Sequence, residues 1–197
     1  IVPLGETAGF LTPEGQNYLQ NRLMAGLRFA PPEGDAQTGM VATNSLKPKT
    51  GNVSAGTSVF SMVVLEKPLV KWYPEIDIVQ TPLGDGVAMV HANECTSRID
   101  PWIELFGEAA LRLTGTINRD ELFKTLYESA LDKNSTLGAF MRERLIEAII
   151  DLKPGMDILI KKEHINIDFL YGHGGYFKSK SAGATIMSAV LGIPIRL

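Results

Sequence analysis

Apolar residues change their spacing twice along this 197-residue chain, and those changes limit what it can fold into. Residues 1–50 are punctuated by glycine and proline and show little periodicity, which favours turns over long elements. Residues 53–92 carry short apolar runs separated by polar turns, as strands do. After Cys95 the period becomes that of amphipathic helices. The sequence therefore predicts a β part followed by a mainly helical part.

The β part is predicted to contain two pairs of strands. Residues 53–65 form one apolar run that bends at residues 56–58, a pattern typical of a buried hairpin. Residues 77–81 and 87–92 read as a second pair, joined by a turn rich in proline and glycine. The middle of the chain is therefore expected to be antiparallel β structure.

The helical part shows recognisable starts and stops. Asp100 followed by Pro101 is typical of a helix beginning, and Gly115 of its end. Asn118 is predicted to cap the next helix, and a third is expected over residues 136–152.

The last 33 or so residues have the pattern of an α/β unit. A strand is predicted at residues 165–171, a glycine loop at 172–175, a helix at 181–191 and a final strand at 193–197. The glycines thus fall at the carboxyl end of a strand, where α/β folds bind ligands.

Composition argues against several classes of function. The 19 basic and 22 acidic residues give a net charge of −3, so there is no excess of positive charge for nucleic acid. No apolar run approaches the roughly 20 residues that cross a bilayer, and no membrane partner is expected. The single cysteine, Cys95, favours a reducing, cytoplasmic setting. The three histidines lack the spacing of zinc ligands, so no metal site of protein ligands alone is predicted.

Three glycine-bearing segments have the residues to contact a ligand. Asp35, between Gly34 and Gly39, is a carboxylate at a predicted turn, where it is either a general base or an ordinary Asx turn. Residues 54–58 combine small side chains with hydroxyls and are either an anion-binding nest or a plain hairpin turn. Residues 172–175 precede a helix whose free N–H groups can bind an anion, or they simply connect two elements.

Cys95 is also a candidate nucleophile, because His91 lies four residues before it. A buried, inert cysteine is the favoured interpretation.

In their order and spacing these segments resemble the FGGY carbohydrate kinases, in particular those related to xylulokinase and ribulokinase. The likeness is carried by residues 31–40, 52–58 and 172–178, with support from residues 5–12 and 89–97. Together these stretches are spread over nearly the whole chain.

The resemblance implies an α/β fold of the actin-like ATPase (ribonuclease H-like) type, with sugar and nucleotide bound between two domains. Residues 1–51 are then expected to be the end of the first, sugar-binding domain, and residues 52–197 most of the second, nucleotide-binding domain. The implied activity is transfer of the γ-phosphate of ATP to a hydroxyl of a ketopentose such as xylulose, or of a related sugar or polyol. Mg²⁺ is expected to be held mainly by the substrate phosphates and by residues outside this chain.

The resemblance also implies roles for individual residues. Asp35 is expected to be the catalytic base that takes the proton of the sugar hydroxyl. The phosphate and adenosine motifs of the family fall on six residues here: Gly56, Thr57, Ser58, Gly174, Gly175 and Ser179.

The chain also departs from the family pattern. The family's Asp-x-Gly-Thr phosphate loop has no counterpart, and the sequence stops before the family's last helix. We therefore expect this chain alone to bind ATP weakly and to show no turnover. Two alternatives stay open: a catalytically silent actin-like protein that binds nucleotide or regulates, and a structural domain that self-associates through its β segment. A homodimer is among the oligomeric states considered.

Overall fold

The computed structural model describes residues 6–32 and 34–197, except for the side chain of Lys180. Gly5 and Glu33, which belong to the stretches that carry the family resemblance, lie outside the described residues. The strands are β1 (Gly9–Phe10), β2 (Arg28–Phe29), β3 (Thr50–Ala55), β4 (Val59–Val64), β5 (Asp77–Gln80), β6 (Gly86–Ala92), β7 (Phe169–His173) and β8 (Ile195–Arg196). The α-helices are α1 (Pro13–Tyr18), α2 (Asp35–Ala42), α3 (Thr96–Thr114), α4 (Arg119–Ser129), α5 (Thr136–Glu147), α6 (Lys153–Asp157) and α7 (Lys180–Leu191).

Six of these strands form one mixed sheet in the order β5-β6-β4-β3-β7-β8. The strands from β5 to β3 pair antiparallel, whereas β7 lies parallel to β3 and β8 parallel to β7. The predicted hairpin and the second pair of strands are both present, with bounds within a few residues of those expected. The long helical stretch between β6 and β7 makes the crossover that a parallel pair requires. The small hairpin of β1 and β2 stands apart from this sheet.

The two faces of the sheet are covered differently. One face carries Val53 of β3 and its partner Ser61 of β4. That face packs against the helices from α3 to α7 and forms the larger core with them. Asn52 is paired with Met62, and that opposite face carries a small apolar cluster in which Met40 of α2 is buried. We refer to this second face as the α2 face.

The first long helix starts earlier than the sequence predicts. Asp100 and Pro101 were expected to begin it, but α3 starts at Thr96 and Pro101 lies inside it. The reason is not local: the N–H groups of Cys95 and Thr96 donate to carbonyl oxygens of the turn after β3, at 2.7 and 2.9 Å. Those bonds satisfy donors that a helix start otherwise leaves free. The predicted end is confirmed, since Gly115 follows the helix in the left-handed conformation with φ 75°.

Other boundaries shift by smaller amounts. The side chain of Asn118 accepts from two backbone N–H groups and caps α4, as expected. The third helix stops at Glu147 rather than at residue 152, and residues 150–152 form a separate 3₁₀ turn. The strand predicted at 165–171 lies at Phe169–His173, so part of the expected glycine loop is strand. The division of the chain into domains at residue 51 remains a prediction.

No helix in the described parts of the chain is long and apolar enough to cross a membrane. The same described residues contain no group of three or more His, Cys, Asp or Glu side chains placed to hold a metal ion.

Candidate functional site

The turn between β3 and β4 presents backbone donors to solvent. Its carbonyl groups are occupied: Gly56 O accepts from Thr96 N–H and Thr57 O from Cys95 N–H, and the hydroxyl of Ser97 also reaches Thr57 O at 3.2 Å. The side chains of Thr57 and Ser58 are exposed, and within the described residues their N–H groups donate to no backbone carbonyl. Because the start of α3 holds the carbonyls, the free N–H and hydroxyl groups are left for an anion.

The second glycine segment is fixed directly beside this turn. In the parallel pair of β3 and β7, His173 lies opposite Ser54, so the next residue, Gly174, lies beside Ala55. Gly174 has φ 104°, and a Cβ atom there would lie 2.7 Å from the carbonyl carbon of Ala55 and closer still to its oxygen. Only glycine allows this approach. A Cβ atom on Gly175 would lie 3.6 Å from a methyl group of Thr96, so the loop also reaches the start of α3.

Ser179 precedes α7 and contributes a buried polar group. Ser179 is 4% exposed, yet among the described residues its hydroxyl finds no hydrogen-bond partner, and it does not cap the helix. Buried hydroxyls are normally paired, so an unpaired one next to a glycine loop indicates a place for a polar ligand. The structure thus brings together the sequence-predicted residues after β3 and the start of the loop after β7, with Ser179 completing that loop.

A groove of about 690 Å³ is lined by α3, by α4 and by Lys178, which follows the glycine loop in sequence. It lies between α3 and α4, and the ammonium nitrogen of Lys178 is 5.9 Å from the centre of the Phe123 ring. Its walls are apolar at Ile103 and Leu122, while its rim carries charges of both signs. No local sequence pattern predicts this groove, because it depends on how two helices pack. Gly107, a glycine inside α3, is the one local signal, since a Cβ there would lie 3.2 Å from Leu122.

Asp35 differs from its predicted setting. It was expected in a turn, either as a base or as an Asx turn, but it is the first residue of α2. Its Oδ1 accepts the N–H of Ala36 at 2.8 Å, and a carboxylate in the first turn of a helix is favoured by the helix dipole. Asp35 is exposed, and α2 packs on the same face of the sheet that carries Ser54 and His173.

The titratable groups near the loop are shifted by burial. Burial lowers the pKa of His173, so its imidazole is neutral at pH 7. Burial and the carboxylate of Glu104 raise the pKa of Asp100, while Lys178 acts in the opposite direction. Cys95 is fully buried and burial raises the pKa of its thiol to about 12, as expected for an inert structural cysteine.

No protein-family model and no curated protein sequence matches this chain. Solved structures do match it. A xylulose kinase from Rhodospirillum rubrum aligns with a TM-score of 0.69 and 16% identity, over 98% of this chain and 43% of that chain. A gluconate kinase from Lactobacillus acidophilus aligns with a TM-score of 0.64 and 14% identity, over 99% of this chain and 44% of that chain. Plasmodium falciparum glycerol kinase with ADP aligns with a TM-score of 0.63 and 13% identity, over 96% of this chain and 42% of that chain.

This chain matches less than half of the length of each of these enzymes. At such low identity the likeness concerns the fold, which agrees with the mixed sheet and its helical layer. The chain therefore has the actin-like α/β fold of sugar kinases, over a little less than half of their length.

Proposed function

We propose that this chain is the nucleotide-binding portion of an ATP-dependent sugar or polyol kinase. The observation that carries the proposal is the parallel pairing of β3 with β7, which sets Gly174 against Ala55, the last residue of β3 before the turn at Gly56. Two glycine segments from distant parts of the sequence are thereby brought together, and in the described part of the chain the N–H groups of Thr57 and Ser58 donate to no backbone carbonyl. Phosphoryl transfer depends mainly on positioning and on electrostatic stabilisation of the phosphates, which such donors supply.

The two glycine segments and the groove would contact different parts of the nucleotide. Thr57 and Ser58 would bind phosphate oxygens through their N–H and hydroxyl groups. The loop at Gly174 and Gly175 would let the backbone approach the nucleotide closely, with the buried hydroxyl of Ser179 as a further contact. The groove between α3 and α4, which Lys178 also lines, would take the base. Mg²⁺ would be held mainly by the nucleotide phosphates and would supply charge neutralisation there.

Asp35 would be the catalytic base. Its carboxylate accepts the proton of the sugar hydroxyl while that oxygen forms its bond to the γ-phosphorus of ATP, and the bond from phosphorus to the bridging oxygen breaks to leave ADP. The exposed position of Asp35 at the amino end of α2 leaves its second oxygen available for this role. A ketopentose such as xylulose is the first acceptor to test, but the matched structures act on xylulose, gluconate and glycerol, so polyols and sugar acids belong in the screen.

Nucleotide binding by the chain tests the first half of the proposal. We expect calorimetry to detect Mg-ADP binding, and Ser179→Ala to weaken it about tenfold because one hydrogen bond to a charged ligand is lost. Ser181→Ala is the matched control, since Ser181 lies exposed on the same helix, and it should bind like the wild type.

Absence of Mg-ADP binding at millimolar concentration would contradict the proposal. Equal weakening by both serine variants would show that Ser179 has no specific role. Nucleotide binding by the full-length protein without transfer to any sugar, polyol or sugar acid would favour a silent actin-like protein instead.

A further inference from the structure

Helix α3 carries apolar residues on its solvent side as well as on its core side. Ile99 and Gly107 are buried, as expected for the core side. Leu105, Ala109 and Leu113 are exposed, Leu105 to 53% and Leu113 to 86%. Because they are spaced by four residues, they lie one above the other along the helix, and we call this row the α3 stripe. A single exposed leucine is ordinary, whereas an apolar row along one face is typical of a contact surface.

The α3 stripe does not belong to the groove between α3 and α4. The groove residues of α3 with the same spacing, Ile103, Gly107 and Leu111, start two positions before the stripe. Two positions correspond to about 200° around an α-helix, so the stripe points away from the apolar floor of the groove. A partner on the stripe would therefore leave that floor open.

Two opposite charges flank the stripe on the side nearer the groove, where Glu108 also lines the rim. Glu108 and Arg112 form an ion pair at 2.6 Å within α3, and both side chains are largely exposed. That pair uses one carboxylate oxygen only, because Nε and Nη2 of Arg112 both donate to Oε1 of Glu108. In the described part of the chain, Oε2 of Glu108 and Nη1 of Arg112 make no hydrogen bond. Each residue therefore keeps a charged group that a partner can bind.

A second copy of this helix fits the stripe in one orientation. When two α3 helices cross antiparallel at Ala109, Leu105 of each meets Leu113 of the partner subunit, because both lie four residues from the crossing point. Glu108 and Arg112 lie on either side of the same point and on one flank, so each faces the opposite charge of the other helix. Parallel helices would instead bring like charges together. The small side chain of Ala109 allows the two helix axes to approach to about 8 Å.

We infer that the α3 stripe is a homodimer interface, in which two copies pack antiparallel about Ala109 and Glu108 of each pairs with Arg112 of the partner subunit. Such a two-fold interface must be self-complementary, and the leucines and the charges of α3 both meet that condition. The ion pairs set the orientation, while the leucines supply the apolar area that is removed from water. The inference is independent of the proposed kinase function.

The first test measures the oligomeric state of the full-length protein by sedimentation velocity from micromolar to submillimolar concentration. We expect a reversible dimer, which Leu113→Glu should weaken at least about tenfold because it buries a carboxylate in the interface. Since Leu113 is so exposed, the variant should keep the circular dichroism spectrum of the wild type. Leu83→Glu is the matched control: Leu83 is 71% exposed in the turn between β5 and β6, and its replacement should leave the dimer unchanged.

Exchange of the charges tests the antiparallel orientation. Glu108→Arg and Arg112→Glu should each weaken the homodimer about tenfold, because four like charges then meet across the two-fold axis. A mixture of the two variants brings opposite charges together, so a heterodimer should form with an affinity within about threefold of that of the wild-type dimer. A fluorophore on one variant identifies the heterodimer, and a variant that had merely lost its fold could not regain affinity in this way.

Each other outcome overturns the inference. A wild-type protein that stays monomeric over this concentration range would show that no second copy covers the stripe. A dimer that Leu113→Glu leaves intact, or that Leu83→Glu weakens equally, would place the interface elsewhere. Failure of the mixed charge variants to regain affinity would remove the antiparallel pairing of Glu108 with Arg112 of the partner subunit.

Discussion

Gly174 is the residue that determines how closely the two glycine segments approach. Its φ of 104° is unfavourable for any other residue, and the carbonyl group of Ala55 occupies the space that a Cβ would need. Gly192 separates these two effects, because it has φ 71° but open space around it. Strain of the backbone and steric conflict are therefore both present at residue 174, and strain alone at residue 192.

We expect Gly174→Ala to destabilise the protein by about 3 kcal/mol and Gly192→Ala by about 1 kcal/mol. Urea unfolding monitored by circular dichroism measures both free energies. Because the alanine pushes the loop away from the turn, Gly174→Ala should also lose Mg-ADP binding under conditions where it is still folded. Equal destabilisation by the two variants would show that Ala55 yields easily and that the close approach has no special importance.

At the scale of elements, the segment between β4 and β5 is held by a residue far away in sequence. The carboxylate of Glu163 is 3% exposed, and it accepts the N–H of Val70 and the hydroxyl of Tyr73, each at 2.8 Å. These bonds lower the pKa of Glu163, the backbone bond most of all. Trp72 in the same segment is 81% exposed, so its apolar contacts contribute little to the fold of the segment.

Replacing Glu163 should therefore loosen residues 66–75. We expect Glu163→Ala to be cut by trypsin after Lys71 at least tenfold faster than the wild type, because both accepted bonds are lost. Glu66→Ala is the control, since that carboxylate is exposed and makes only a 3.4 Å ion pair with Lys49. Mass spectrometry of the early fragments identifies the cut sites, and equal rates for the two variants would contradict this account.

The pH dependence has the sign of a carboxylate whose pKa is lowered by folding. The stabilisation from Glu163 is present above the pKa of the unfolded chain and is lost as the pH falls through the lower pKa of the folded state. The loosening should therefore appear in the wild type only under acidic conditions, below the ordinary Glu value of 4.5.

Local sequence patterns predicted the helices and strands far better than the distant residues that these elements contact. The strands around residues 56–58 and the glycine stop at Gly115 follow from apolar alternation and from the conformational freedom of glycine. The start of α3 at Thr96 does not, because the carbonyls that accept its first N–H groups belong to a turn some 40 residues earlier. Glu163 had no local signal for the same reason, since its partners precede it by about 90 residues.

At the scale of the whole molecule, the candidate site was only partly predictable. The resemblance to sugar kinases named both glycine segments, but their contact is made by the parallel register of β3 and β7, which no local pattern encodes. Asp35 was expected in a turn, but it is the first residue of α2, and its carboxylate accepts the N–H of Ala36 in the first turn of that helix. The groove between α3 and α4 was missed because two amphipathic helices specify their apolar faces but not the space left between them.

The central claim is that Asp35 serves as the base in a phosphoryl transfer, with nucleotide held by the glycine segments. The most direct measurement is phosphate transfer from ATP to the preferred acceptor by the full-length protein carrying Asp35→Asn. Asparagine keeps the oxygen that accepts Ala36 N–H but cannot take up a proton. Asp168→Asn, at an exposed aspartate outside the site, is the control and should be as active as the wild type.

Loss of a general base typically costs two to four orders of magnitude in rate. The account therefore predicts that Asp35→Asn lowers kcat at least 100-fold while its affinity for Mg-ADP stays within twofold of the wild type. A kcat within a few-fold of the wild type would contradict it.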